Sequence, residues 1–214
     1  MTDRVILTFS RQFGSGGSNI AKRLAKELVI PFYDQELITE SAKDTGIAPN
    51  MVKALEETPT NSLLYAIAAG TAYGGAVTPS TLAALPMTDR VFLSQSDVIR
   101  RYANEGSCVI LGRCADYILR KDPDVISVYI HRDHDERVHQ VAKLYDKTEE
   151  KAVEMVKKMD KRRANYYAYY TDKRWGDAEN YDICLNSGVL GEDGCVDLLK
   201  TTVNAILTRR KSRR

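Results

Sequence analysis

Five short apolar runs decide what this chain can fold into. Residues 5–9 (VILTF), 30–33 (IPFY), 108–111 (CVIL), 125–130 (VISVYI) and 181–185 (YDICL) are too short for helices and favour extended backbone. Stretches with helical period separate them. Apolar strands alternating with helices predict an α/β fold of three layers, a five-stranded parallel sheet with helices on both faces. Ligands of such sheets bind at the carboxyl ends of the strands. The polar residues that stand out fall at those ends: Asp34, then Gly112-Arg113, His131-Arg132 and Asn186-Ser187.

Between the strands the pattern is uneven. Ile20, Leu24 and Leu28 recur at helical spacing behind a glycine turn. Residues 35–70 read as helix in pieces, broken at Gly46 and Pro49, and 70–86 read as a loop rich in Gly, Ala, Thr and Pro. Helical pattern returns at 89–104, continues as a long polar stretch over 134–170, and ends in a helix at 192–208. Tyr166 and Tyr170, four apart, are expected to pack that polar stretch onto the core with their hydroxyls at the surface. The 214 residues suit one domain spanning 1–214, with a helical insertion over about 46–95.

Composition matters here mainly for what it excludes. A net charge of +2 gives no global attraction to nucleic acid, so no nucleic-acid partner is expected. The basic residues crowd instead into 157–163 and the tail at 209–214. The first cluster suits a phosphate-bearing ligand, and the tail reads as a solvated end. Cys108, Cys114, Cys184 and Cys195 form no CxxC pair, and His131, His134 and His139 have no metal-site spacing. They read as reduced thiols and non-ligating imidazoles. The first apolar run is too short for a signal peptide, and no run reaches the ~18 apolar residues of a membrane span. The expectation is a cytoplasmic protein without a membrane partner; oligomeric state is not set by the sequence.

The turn after the first strand reads Arg11-Gln-Phe-Gly14-Ser15-Gly16-Gly17-Ser18-Asn19. A phosphate-binding loop needs glycines so that the backbone can curl and aim its N–H groups inward. It also needs a helix start behind it, whose partial positive charge draws phosphate. Both conditions hold. Ser18 stands where the magnesium-ligating hydroxyl of G-x-x-x-x-G-K-[ST] would stand. Two positions depart from that pattern: Arg11 falls on its first glycine and Gly17 on its lysine. Arg11 or Lys22 could supply the missing cation.

Several motifs together carry a family resemblance. Val109-Ile-Leu-Gly112-Arg113-Cys114-Ala-Asp116 resembles the strand–Gly–Arg–Asp element of cytidylate kinases. The strand at 125–130 with its polar sequel at 131–137 is similar to the strand before their lid. Tyr181-Asp-Ile-Cys-Leu-Asn-Ser187 resembles their last strand, and the glycine loop and Phe32-Tyr33-Asp34 fit their first two strand ends. The pattern is nearest the cytidylate kinase-like branch, with its lysine-free FGSGG loop, its GRCAD and an aromatic stretch like 166–175.

The resemblance implies a P-loop NTPase fold and an ATP-dependent, Mg²⁺-assisted kinase acting on a nucleoside monophosphate such as CMP or dCMP. It implies that Arg11, Gly14, Ser15, Gly16, Gly17, Ser18, Asn19 and Ser187 contact ATP, with Ser18 on the metal. It gives Arg113 the acceptor phosphate, a role its two-pronged guanidinium suits; a simple ion pair is the alternative. Asp34 could orient a ribose hydroxyl, hold a magnesium-bound water, or cap the next helix. Cys114 stands where the family has aspartate; Asp116 could substitute for its sugar contact or simply face solvent. A lid over about 134–175 would bring Arg137, Arg162 and Arg163 to the transferring group, if these do not simply line a solvated helix face. Two other functions fit the same residues. Gly17 in place of lysine suits a nucleotide-binding sensor or partner protein with little activity, and the acceptor could be another small phosphate or alcohol.

Overall fold

The computed structural model describes residues 4–46, 48–50 and 85–212. Most of the expected insertion at 46–95, including residues 70–84 of the expected loop at 70–86, lies outside those residues.

Five strands form one sheet: β1 (Ile6–Arg11), β2 (Phe32–Tyr33), β3 (Cys108–Leu111), β4 (Val125–His131) and β5 (Ile183–Asn186). All pairings are parallel and the order is β2-β3-β1-β4-β5. Register aligns Phe9 with Leu111 and with Val128, so β3 ends two residues short of Arg11 at the end of β1, and β4 runs just past it. The chain winds from β1 out to β2 on one side and later to β4 and β5 on the other. The end of β1 therefore sits where the winding reverses, the usual place for a ligand crevice.

Alternation along the strands explains why helices cover both faces. Leu7, Phe9, Val109, Leu111, Val128 and Ile130 point to one side, against α1 (Gly17–Leu28) and α7 (Ser187–Ser212). Ile6, Cys108 and Ile110 point to the other, against α2 (Gln35–Thr45), α3 (Met87–Glu105) and the short α4 (Ala115–Ile118). Ile20 and Leu24 of α1 are wholly buried and Leu28 is half-buried against the same core, as their spacing predicts; Ala21 is buried beside them.

Three expectations need adjustment. The polar stretch at 134–170 is two helices, α5 (His134–Tyr145) and α6 (Glu149–Thr171). Asp146 turns left-handed between them (φ 51°), and Thr148 caps α6 by accepting the Lys151 N–H at 3.4 Å. The last helix begins at Ser187, five residues before the expected start at 192, and kinks at Gly191. Tyr170 does not raise its hydroxyl to the surface. Its ring stacks on Phe92 at 3.9 Å, and its O–H donates to the Thr88 carbonyl and to Asp89, both at 3.3 Å, in the interior.

Candidate active site

The glycine loop joins Arg11 at the end of β1 to Gly17 at the start of α1. Gly14 is left-handed (φ 80°), and a Cβ there would lie 2.8 Å from the Arg137 carbonyl oxygen and 2.9 Å from a Val141 methyl. Only glycine satisfies both the backbone and the packing against α5. The rest of the loop is stitched to its neighbours. The Ser15 hydroxyl donates to the Gln12 carbonyl (2.9 Å) and accepts the Gly17 N–H (3.3 Å). The Gln12 side-chain oxygen accepts the Arg132 N–H at 3.0 Å. Ser187, buried at the end of β5, donates its hydroxyl to the Ser15 carbonyl at 2.6 Å and to the His131 carbonyl at 3.1 Å. It braces the loop from behind rather than facing a ligand.

Helix α1 starts without any side-chain cap and without an acidic residue in its first turn. By contrast α2, α3, α5 and α6 each carry Asp or Glu there. The partial positive charge at the α1 entrance is thus left uncompensated by its own helix. Ser18 and Asn19, on its first turn, are exposed, and Ser18 presents a hydroxyl with no carboxylate bonded to it.

At the end of β3 the backbone takes three left-handed residues in a row, Gly112 (φ 75°), Arg113 (φ 55°) and Cys114 (φ 54°). The Ala115 N–H closes this turn on the Gly112 carbonyl at 3.1 Å. Two non-glycine residues held there store roughly 1–3 kcal/mol each, which points to a geometry worth keeping. The turn folds the Arg113 side chain back over the strand end. Its Nη1 donates to the Leu111 carbonyl (3.1 Å) and to Asp34 (3.0 Å), which ends β2. Asp34 occupies the cap position of α2 but makes no side-chain capping bond. Its carboxylate goes to the arginine.

A cavity of about 410 Å³ opens between these strand ends and α6. Among the described residues, four arginines line it, Arg11, Arg113, Arg162 and Arg163, against one carboxylate, Asp34. Tyr166, Tyr167 and Trp175 form part of its wall, and Met159 sits beside Arg162. Arg163 reaches in from α6: its Nη1 donates to the Arg11 carbonyl at 2.8 Å, and its guanidinium lies 5.7 Å from the centre of the Phe13 ring. Burial lowers its pKa from the ordinary arginine value, as expected for a desolvated cation. A concave space dominated by guanidinium groups is built for an anion.

Two of the residues assigned from the sequence lie elsewhere. Arg137 is buried behind the loop, where it donates to the carbonyls of Phe13 (3.1 Å) and Arg132 (3.0 Å) and pairs with Asp160. It secures the loop and does not line the cavity. Asp116 turns away from Arg113: its carboxylate accepts the Tyr167 hydroxyl at 2.7 Å and borders a separate hollow beside Lys173 and Asp182. Burial pushes its pKa up. The sequence reading missed Asp160, whose carboxylate accepts the Phe13 N–H at 2.8 Å and ties α6 to the loop. A lone acid inside the basic run at 157–163 was the available signal. Among the described residues, no group of three or more His, Cys, Asp or Glu side chains could hold a metal ion, and no helix is long and apolar enough to cross a membrane.

Comparison with known proteins agrees with this architecture. The model of the cytidylate kinase-like family matches residues 6–189. A crystal structure of an uncharacterized protein from Eubacterium ventriosum ATCC 27560 is 34% identical, covering 94% of this chain and 99% of that one with a TM-score of 0.71. Two kinases share the fold at low identity. Shikimate kinase from Bacteroides thetaiotaomicron is 13% identical (TM-score 0.52, covering 94% and 98%). A gluconokinase from Sinorhizobium meliloti 1021 is 10% identical (TM-score 0.53, covering 100% and 99%). The sheet and its helices are therefore those of a P-loop kinase fold. No curated protein matches the chain significantly.

Proposed function

Because the chain belongs to the cytidylate kinase-like family, we propose that it is an ATP-dependent phosphotransferase that converts a nucleoside monophosphate of the CMP or dCMP type to the diphosphate. Phosphoryl transfer asks a protein for in-line positioning and for positive charge around the moving group. The loop amides at 14–18 and the entrance of α1 hold the β-phosphate of ATP, with Asn19 at the edge. The residues present fit a magnesium ion, a hard cation that takes oxygen ligands: the exposed Ser18 hydroxyl would hold it. Such an ion would supply positive charge beside the nucleotide phosphates.

Arg113 grips the acceptor phosphate, and Asp34 fixes the plane of its guanidinium while offering an acceptor to a ribose hydroxyl. Arg162 and Arg163 close over the transferring group and exclude water. Arg137 and Ser187 act at one remove, by holding the loop. No general base is required, because the acceptor oxygen is already anionic. A protein of this kind works in the cytoplasm on small nucleotides.

The observation that carries this reading is a cavity at the strand ends where Arg113, half-buried on a left-handed turn, meets Arg11, Arg162 and Arg163, close to a helix whose own first turn carries no acidic residue. The test is a panel of CMP, dCMP, UMP, AMP, GMP and non-nucleotide acceptors with Mg-ATP, measuring ADP. Turnover with one pyrimidine monophosphate supports the proposal; turnover only with a non-nucleotide acceptor replaces it. Gly17, where a lysine would stand, favours a second reading, a nucleotide-binding protein without turnover. Stabilisation by Mg-ATP with no ADP from any acceptor would select that reading.

A further inference from the structure

The usual phosphate-loop pattern has a glycine at its first position and a lysine six residues later. This chain has the reverse, Arg11 and Gly17. The structure shows that these two positions abut. A Cβ added at Gly17 would lie 2.6 Å from Cβ of Arg11, 3.1 Å from its Cγ and 3.0 Å from Cβ of Ile130. Gly17 is the first residue of α1 and has no left-handed backbone to demand glycine. The space it leaves is what matters, and the stem of Arg11 fills it. Only one of the two positions can bear a side chain.

The charged end of Arg11 is guided as well. Its Nε donates to the Ser18 hydroxyl at 3.2 Å. Its Nη1 runs so close to the end of β3 that a Cβ on Gly112 would lie 2.7 Å from it. The same side chain lines the arginine-rich cavity with Arg113, and Arg163 anchors its backbone carbonyl. The guanidinium thus lies between the loop hydroxyl and the acceptor arm, where the β- and γ-phosphates of a nucleotide must pass. Lys22, the other candidate cation, is exposed on the second turn of α1 and does not border the cavity.

We propose that the phosphate-loop cation is transposed in this protein: Arg11, at the end of β1, performs from the first loop position what lysine performs from the seventh, and Gly17 is the vacancy that admits it. The inference rests on the kinase reading above and names a catalytic residue for it. Arg11 contributes a two-pronged donor, which can bridge oxygens of neighbouring phosphates, where lysine offers a point charge.

The experiment exchanges the cation between the two positions. Arg11→Gly and Arg11→Gln are compared with Arg11→Gly/Gly17→Lys, which recreates the common pattern, and with Gly17→Lys alone. Folding is checked by melting temperature, and both Mg-ATP affinity and turnover are measured. Arg11→Gln keeps the stem that packs on Gly17, so it separates lost charge from lost packing. The expected result is a fall in turnover of ~100–1000-fold in both single Arg11 variants, the usual consequence of removing one stabiliser of transition-state charge. The exchanged double variant should recover to within about tenfold of the parent, while CMP affinity stays unchanged throughout. Gly17→Lys alone should be no better than Arg11→Gly, because the two stems collide. If Arg11→Gln keeps parental turnover, or the folded double variant is no better than Arg11→Gly, the transposition is overturned and the kinase reading stands. If the parent protein binds no Mg-ATP, the kinase reading falls and takes the transposition with it.

Discussion

The ends of β1 and β3 are neighbours in the sheet, yet they are built on opposite principles. The β1 end is a loop of glycines and serines whose hydrogen bonds run within itself, to residues just past β4 and β5, and to side chains of α5 and α6. What it offers a ligand is N–H direction and the field of a helix entrance. The β3 end is a left-handed turn that holds one guanidinium against one carboxylate. What it offers is charge in a fixed plane. Amides suit a phosphate that stays in place through the reaction. A swivelled, paired arginine suits a substrate that must enter, be aligned and leave. On the proposed function, the contrast teaches how a donor site and an acceptor site differ in construction.

Removing the Arg113 guanidinium should break the contrast most severely. Arg113→Ala is expected to lower kcat/KM for the monophosphate by ~100–1000-fold, about 3–4 kcal/mol, and to leave Mg-ATP affinity within about twofold. Arg113→Lys should recover little, since an ammonium cannot match a planar fork. Steady-state kinetics with each substrate varied in turn checks both. The mirror experiment is Gly14→Ala, which forces a side chain into the Arg137 carbonyl and Val141 at a left-handed position. It should weaken Mg-ATP by roughly 10–100-fold and destabilise the fold by about 1–3 kcal/mol, with acceptor affinity little changed. Calorimetric titration of each ligand separates the two.

Smaller effects sharpen the picture behind each site. Ser187→Ala removes a buried donor to the Ser15 and His131 carbonyls. A loss of about 1–2 kcal/mol in stability is expected, with a few-fold loss in Mg-ATP affinity and none in acceptor affinity. Asp116→Asn should leave kcat/KM for the acceptor within twofold, because Asp116 lies outside the cavity. Its effect belongs to pH. The folded protein raises the Asp116 pKa, so the native state holds its proton above the ordinary carboxylate range. Stability tied to this group is complete below that range and declines as pH rises through the raised pKa. Asn, which can still accept the Tyr167 hydroxyl, should flatten that decline in melting temperature against pH.

Much of this was legible in the sequence, for local reasons. Strand runs such as 108–111 and 125–130 are fixed by period and β-branching, and Gly14 and Gly16 by left-handed turns within the loop itself. The placement of Arg113 at a strand end follows from the same pattern. What stayed hidden depends on how α6 packs. Nothing near Arg137 in the chain says that its partner is Asp160, twenty-three residues on, or that both serve the Phe13 peptide. Asp116 was a candidate sugar contact because Cys114 takes the family's aspartate position, but three left-handed residues precede it and its carboxylate meets Tyr167. The break at Asp146 was hidden because both flanking stretches are polar and helical in composition, although Thr148 followed by two glutamates was a readable helix start.

The most direct test of the two-site account is a crystal structure with Mg²⁺, a non-hydrolysable ATP analogue and CMP. The account predicts the β-phosphate on the amides of residues 14–18 and the CMP phosphate on Arg113, the two facing each other across the arginine-lined cavity. Nucleotide phosphates bound away from the α1 entrance, or a monophosphate seated without contact to Arg113, would contradict it.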